Sequence, residues 1–428
     1  MTIPFDFKTQ YTLSPNAPYD PSNPDCAQFA NKDDALIPGQ IIVNPDPAVY
    51  DTTRELQRTV TGMTVTPGGR IYTSYFTSCE HLSEDDGNYC MLFSSDDNAA
   101  SWQLRLVIEP PFRDHTRAFD CYPWIDDRGR FWLFWCQSYS WDGRQGAWAA
   151  FCDDPDSDAP HFSQPRRIGN GIVSAKPAIL PDGAWILPAC LWDVRVATEC
   201  NLPKYFLNWL PDEHGTNLLR STDRGMSWER IANVHWGFEN FPESNVVPLS
   251  DGRLWMLIRG MNCTGQSFSE DGGLNWSIPR ENRKLPLPDT KFSLIRLKSG
   301  NLLLVCNYKA DMFSYYCGRN HLTAMISRDD GKTWEGRLLL DEREGAEQPD
   351  ACQSRDGRIF VSYGRAPCFV GESLLAEFTE EDVLAGRLVN PASRLRIHVG
   401  RAGGIEKRPD YAQLRREAEM NGIEMPEL

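Results

Sequence analysis

The chain has 428 residues, 41% of them hydrophobic and 11% aromatic, which is ample for a large core. A formal net charge of −15 argues against nucleic acid or an anionic membrane as partner, since both need a basic footprint, while a local arginine cluster can still hold a small anion. Thirteen cysteines, odd in number and without a Cys-x-x-Cys pair, give neither a disulfide framework nor a zinc-ligand spacing.

The start, Met1-Thr2-Ile3-Pro4-Phe5-Asp6, lacks the basic and apolar regions of a signal peptide, and no apolar run is long enough to span a membrane. The expectation is a cytoplasmic protein with reduced thiols and no cofactor or metal; a secreted protein without its leader would read the same. Residues 1–50 are rich in Pro, Asn and Asp and hold one strand-like run, Gln40-Ile41-Ile42-Val43, a candidate for the strand that closes a ring.

From residue 51 the chain repeats. Turns of the type Asp-Gly-Arg open apolar strands at Gly69-Arg70-Ile71-Tyr72, Gly129-Arg130-Phe131-Trp132, Gly183-Ala184-Trp185-Ile186, Gly252-Arg253-Leu254-Trp255, Gly300-Asn301-Leu302-Leu303 and Gly357-Arg358-Ile359-Phe360. Each follows another short strand, such as Ser244-Asn245-Val246-Val247-Pro248-Leu249, so the unit is a hairpin repeated six times. Six units too small to bury their own faces predict an all-β fold, a six-bladed β-propeller over residues 51–378.

A second repeat interlocks with the first. Ser221, Asp223, Gly225, Ser227 and Trp228 share a spacing with Ser269, Asp271, Gly273, Asn275 and Trp276, and with Ser327, Asp329, Gly331, Thr333 and Trp334. A degraded copy has Ser95, Asp97, Ala99, Ser101 and Trp102, and Asp154 with Phe162 marks an eroded one. The Ser and Asp side chains suit hydrogen bonds to their own turn, the Gly suits φ > 0, and the Trp buries its ring. After residue 378 the pattern changes to a tail, 379–428, with short helices expected around Glu380–Leu384 and Asp410–Ala418.

Boxes and hairpins together resemble the Asp-box, or bacterial neuraminidase repeat, proteins of the sialidase-like superfamily over roughly residues 50–365. The box is a structural turn, so function has to come from the site. What the resemblance implies is an arginine triad, a carboxylic acid, and a tyrosine–glutamate nucleophile pair on the central axis. Arg58 takes the first arginine position by spacing, with Thr59-Val60 in place of the usual Ile-Pro. Glu243 and Arg259 fit the glutamate and second arginine, and Arg319 the third. Glu84 and Asp85 stand where the acid belongs. The tyrosine position holds Gln348, which removes the nucleophile of a covalent retaining mechanism.

Each of these side chains has a structural alternative. Arg259 and Arg319 either bind a substrate carboxylate or brace the channel against Glu243 and Asp350. Glu243 either activates water or orients an arginine. Asp350, beside Gln348, is a substitute base or a sugar-hydroxyl acceptor. Lys176 and Trp192 suit sugar contacts, and His81 suits a base in the histidine-and-arginine chemistry of uronate-acting relatives. The reading is an exo-glycosidase that hydrolyses a terminal acidic sugar from an oligosaccharide or glycan. A uronate lyase or rhamnosyl-glucuronate-cleaving enzyme and a non-catalytic glycan-binding propeller are the alternatives. The oligomeric state is not legible.

Overall fold

In the computed structural model, the six turn glycines share a left-handed backbone, with φ between 84° and 96°. The structure describes residues 32–80, 86–139, 143–192, 213–239, 241–310, 318–367, 369–408, 411–420 and 422. Each turn glycine donates its N–H to the carbonyl three residues back, as Gly252 does to Leu249 at 3.1 Å. The next strand starts two residues later, at Ile71, Phe131, Trp185, Leu254, Leu302 and Ile359.

These hairpins build six antiparallel sheets arranged as blades. Their first strands are Thr59–Val65, Thr116–Ile125, the split pair Ile172–Val173 and Ala178–Ile179, Ser244–Pro248, Ser293–Arg296 and Ala346–Gln353. Thr59–Val65 packs against the first strands of blades 2 and 6, and Ser293–Arg296 against those of blades 4 and 6, so these strands surround the axis. Among the described residues, adjacent blades do not share a β-ladder, and polar side chains bridge the seams. Asn245 Oδ1 accepts the Leu294 N–H at 2.9 Å, Ser293 Oγ the Ala351 N–H at 3.1 Å, and Asp350 Oδ2 the Met63 N–H at 2.7 Å.

The run Gln40–Val43 is a strand, but it does not complete the last blade. It pairs with Gln103–Glu109 as a fifth, outermost strand of blade 1. Blade 6 takes its fourth strand, Arg394–Arg401, from the tail, so its outer edge is already covered. The propeller therefore runs past residue 378. The tail also carries the helices Glu380–Ala385, capped by Thr379, and Tyr411–Met420.

The boxes lie between the third and fourth strands of their blades. In each, a serine Oγ donates to the Asp Oδ1 at 2.8–2.9 Å and accepts an N–H from the residue four places on. The eroded copy keeps this logic with a thiol, Cys152 Sγ donating to Asp154 Oδ1 at 2.8 Å. Between blades 2 and 3, Trp132 and Trp185 meet edge to face at 5.4 Å. A Cβ on Gly225 would come within 2.7 Å of both rings, so this box fixes the approach of two blades.

Candidate active site

The blade repeat sets the levels of the channel. Nine residues before each turn glycine stand Val60, Asp120, Ser174, Glu243, Lys291 and Gln348, one per blade, all buried. Three of them, Val60, Asp120 and Gln348, have φ of 44°, 47° and 56°. In each case the first strand carries a bulge, two residues facing one of its neighbour. Such a bulge re-aims side chains near the axis and is common beside active sites. Two residues further along, the next level holds Tyr122, Lys176, Asn245, Ser293 and Asp350.

At the upper level Glu243 and Arg259 form a buried ion pair. Arg259 is committed on its other side as well: Nε to Asp289 Oδ1 at 2.7 Å and Nη2 to the Asp289 carbonyl at 3.1 Å. Its guanidinium carbon lies 4.9 Å from the Phe241 ring centre, and Trp192 packs edge-on to Phe241 at 5.0 Å. Burial would lower the Arg259 pKa, but Asp289 and Glu243 outweigh it and hold the guanidinium charged. Trp192, only 4% exposed, is packed in the core cluster rather than open as a sugar platform.

Arg319 pairs with Glu347, the neighbour of Gln348, and not with Asp350. Its side chain stays 27% exposed. Asp350 instead meets Lys176 at 2.8 Å through the same Oδ2 that accepts the Met63 N–H. Lys176 also donates to the Ala351 carbonyl at 2.8 Å, and it stands where Ser174 to Pro177 interrupts the first strand of blade 3. The Gln348 carbonyl accepts from Thr61 Oγ1 at 3.1 Å, while its Oε1 is buried with no hydrogen-bond partner among the described residues.

The family pattern puts Arg58 beside these groups, and the structure places it elsewhere. Its Nε meets buried Glu55 at 2.6 Å, and its guanidinium carbon lies 4.5 Å from the Tyr75 ring centre. A Cβ on Gly400, in the outermost strand of blade 6, would come within 2.6 Å of Arg58 Nη1. Arg58 thus fills the seam between blades 1 and 6, where Glu55 supplies its counter-charge. His81, Glu84 and Asp85 lie outside the described residues.

Sequence reasoning missed Lys291, Tyr122, Asp120 and Asp289. Lys291 is 2% exposed, donates to the Tyr122 hydroxyl, and sits 4.1 Å from that ring's centre. Burial lowers its pKa, countered by the charges of Asp350, Glu243 and Asp120. Burial likewise pushes Tyr122 well up, helped by the same three carboxylates. Lys291 is therefore the cation around which both levels of the channel gather.

This ring of six blades, five of them carrying a box or its eroded form, around a polar axis is the sialidase-like propeller. The chain belongs to the BNR repeat-like domain family, which matches residues 69–361. Among solved structures, a leech intramolecular trans-sialidase is 11% identical, with a TM-score of 0.60 over 82% of this chain and 71% of that one. The intramolecular trans-sialidase from Ruminococcus gnavus is also 11% identical, with a TM-score of 0.59 over 82% of this chain and 99% of that one. A Hadza microbial sialidase is 17% identical, with a TM-score of 0.55 over 72% of this chain, which spans 64% of that protein. No curated protein matches the chain. Identities this low carry the fold and not the activity.

Proposed function

We propose that the protein is a sialidase-like exo-glycosidase that removes a terminal acidic sugar from a glycan, with Glu243 as the base that activates water. The observation that carries this reading is that the carboxylates of Asp120, Glu243 and Asp350 converge on the buried Lys291 at the axis. Glu243 is the better base of the two carboxylates named from the sequence. Arg259 holds one of its oxygens, whereas Asp350 does a seam-bridging job that Asn245 and Ser293 do at the equivalent positions. Arg259, with all three nitrogens engaged, positions Glu243. Lys291 and the exposed side of Arg319 are the cations suited to a substrate carboxylate.

Gln348 has no ionisable group to form a glycosyl–enzyme bond. Hydrolysis then runs by direct displacement: Glu243 takes a proton from water, the water oxygen bonds to the anomeric carbon, and the leaving oxygen receives a proton from a second carboxyl. The sequence assigns that acid to Glu84 or Asp85. Proton NMR of the first-formed product tests the mechanism. The inverted anomer is expected, and a retained anomer with a trappable glycosyl-enzyme would overturn it.

A uronate lyase is the second reading, supported by Lys291 and Tyr122. A buried ammonium beside a phenol would neutralise a uronate carboxylate, while the nearby Glu243 carboxylate takes the adjacent α-proton. Its product would carry a new carbon–carbon double bond and absorb in the ultraviolet. Saturable sugar binding with the sugar unchanged would instead identify a binding propeller.

A further inference from the structure

The channel has a second mouth. Every first strand runs from the level of Glu243 toward a turn glycine, and a cavity of about 760 Å³ opens at that turn end. Its rim is formed by the turns themselves, with Arg128 from blade 2, Lys298 from blade 5 and Arg355 from blade 6. Its inner end reaches Lys176 and Lys291. The volume is in the range of pockets that take small molecules.

The charges at this mouth do not cancel. Of the three acidic groups lining it, Asp127 pairs with Arg224 and Asp350 with Lys176, and Asp126 keeps its charge while its Oδ1 accepts the Arg128 and Arg130 N–H groups of its own turn. By contrast, Lys298 donates to the Ser354 and Arg355 carbonyls at 3.0 and 2.8 Å, and Lys291 to a phenol. Among the described residues, Arg128, Lys298 and Arg355 have no carboxylate within ion-pair distance. In a chain of net charge −15, three cations without an ion-pair partner around one rim are a local reversal of the field. The rim is also built: the Lys298 N–H meets Gln353 Oε1 at 2.8 Å, so the turns carrying Lys298 and Arg355 are tied together.

We infer that the turn-end mouth of the channel binds a small polyanion carrying two or three phosphate or carboxylate groups, separately from the site of Glu243. Arg128, Lys298 and Arg355 contact the anion. Guanidinium forks suit either phosphate or carboxylate, and the rim does not select between them.

Calorimetric titration of the full chain with pyrophosphate and with citrate, at rising salt, tests this. The expected result is one saturable site for at least one probe, weakened by salt and weakened on the order of tenfold or more in the Arg128→Gln/Arg355→Gln double variant. Pyrophosphate binding alone would assign the site to phosphates, and citrate binding alone to carboxylates. Both substituted side chains are exposed and lie in turns away from Glu243, so glycoside turnover should be unchanged. Absence of binding by both probes, or binding that the double variant leaves intact, would overturn the inference.

Discussion

Glu243 and Arg259 form a buried ion pair at the upper end of the channel, and Asp289 holds the far side of the same guanidinium. The arrangement fixes the direction of the Glu243 carboxylate without consuming both of its oxygens. On the proposed function, Arg259 positions Glu243, and the substrate charge falls to Lys291 and Arg319.

Arg259→Ala should therefore remove the counter-ion of two carboxylates at once. The expected loss is about 3–5 kcal/mol of stability, as for other broken buried pairs. Arg259→Lys should recover only part of it, because an ammonium cannot reproduce the fork between Glu243 and Asp289. Urea unfolding of the three proteins checks this. An alanine variant as stable as the parent would show that the pair is not buried in solution.

The turn glycines and box glycines should respond differently to a methyl group. Gly252 has φ +90°, and a Cβ added there would meet open space, so Gly252→Ala should cost about 1 kcal/mol from backbone strain alone. Gly331 has φ +79°, and a Cβ there would stand 2.4 Å from Trp255 Cζ3. Gly331→Ala should cost the same strain plus about 1–3 kcal/mol of overpacking. Equal midpoints of chemical unfolding for the two variants would contradict the assigned contact.

Lys291 should leave a mark on the pH dependence of stability. Burial lowers its pKa from 10.5, against the pull of Asp350, Glu243 and Asp120 and with the push of Lys176. Between the lowered value and 10.5 the unfolded chain binds a proton that the folded chain does not, so this contribution to stability rises with pH. Tyr122, pushed well up, stays protonated across that window. In Lys291→Met the rise should vanish, so wild type gains on the variant as the pH climbs toward 10.5. A stability difference that stays flat over this range would sink the assignment.

Much of the ring was legible because it is periodic. Six turn glycines give six blades, and a count of nine residues back from each reaches the axis. Applied to Gly357 alone, that count finds Gln348; applied to every blade it also reaches Asp120, Glu243 and Lys291. The pairings were not legible in the same way. Arg58 has Glu55 three residues away, but its place is decided by Gly400, which approaches only when blade 6 closes on blade 1. Asp350 looks catalytic beside Gln348 until the Met63 N–H and Lys176 are seen on the same oxygen. Gln40–Val43 has the composition of a strand, and only the open edge of blade 1 says where it pairs. Local signals fix elements and levels, whereas contacts across seams depend on parts of the chain that are hundreds of residues apart.

The most direct test compares wild type and Glu243→Gln on aryl glycosides of sialic acid and of uronic acids. The proposed function predicts weak or no release from the sialoside, release from another acidic glycoside, and loss of that release in the variant while the sugar still binds. Robust release from the sialoside, abolished by the same substitution, would contradict the role given to Gln348. Unchanged turnover by Glu243→Gln would contradict the account of Glu243 itself.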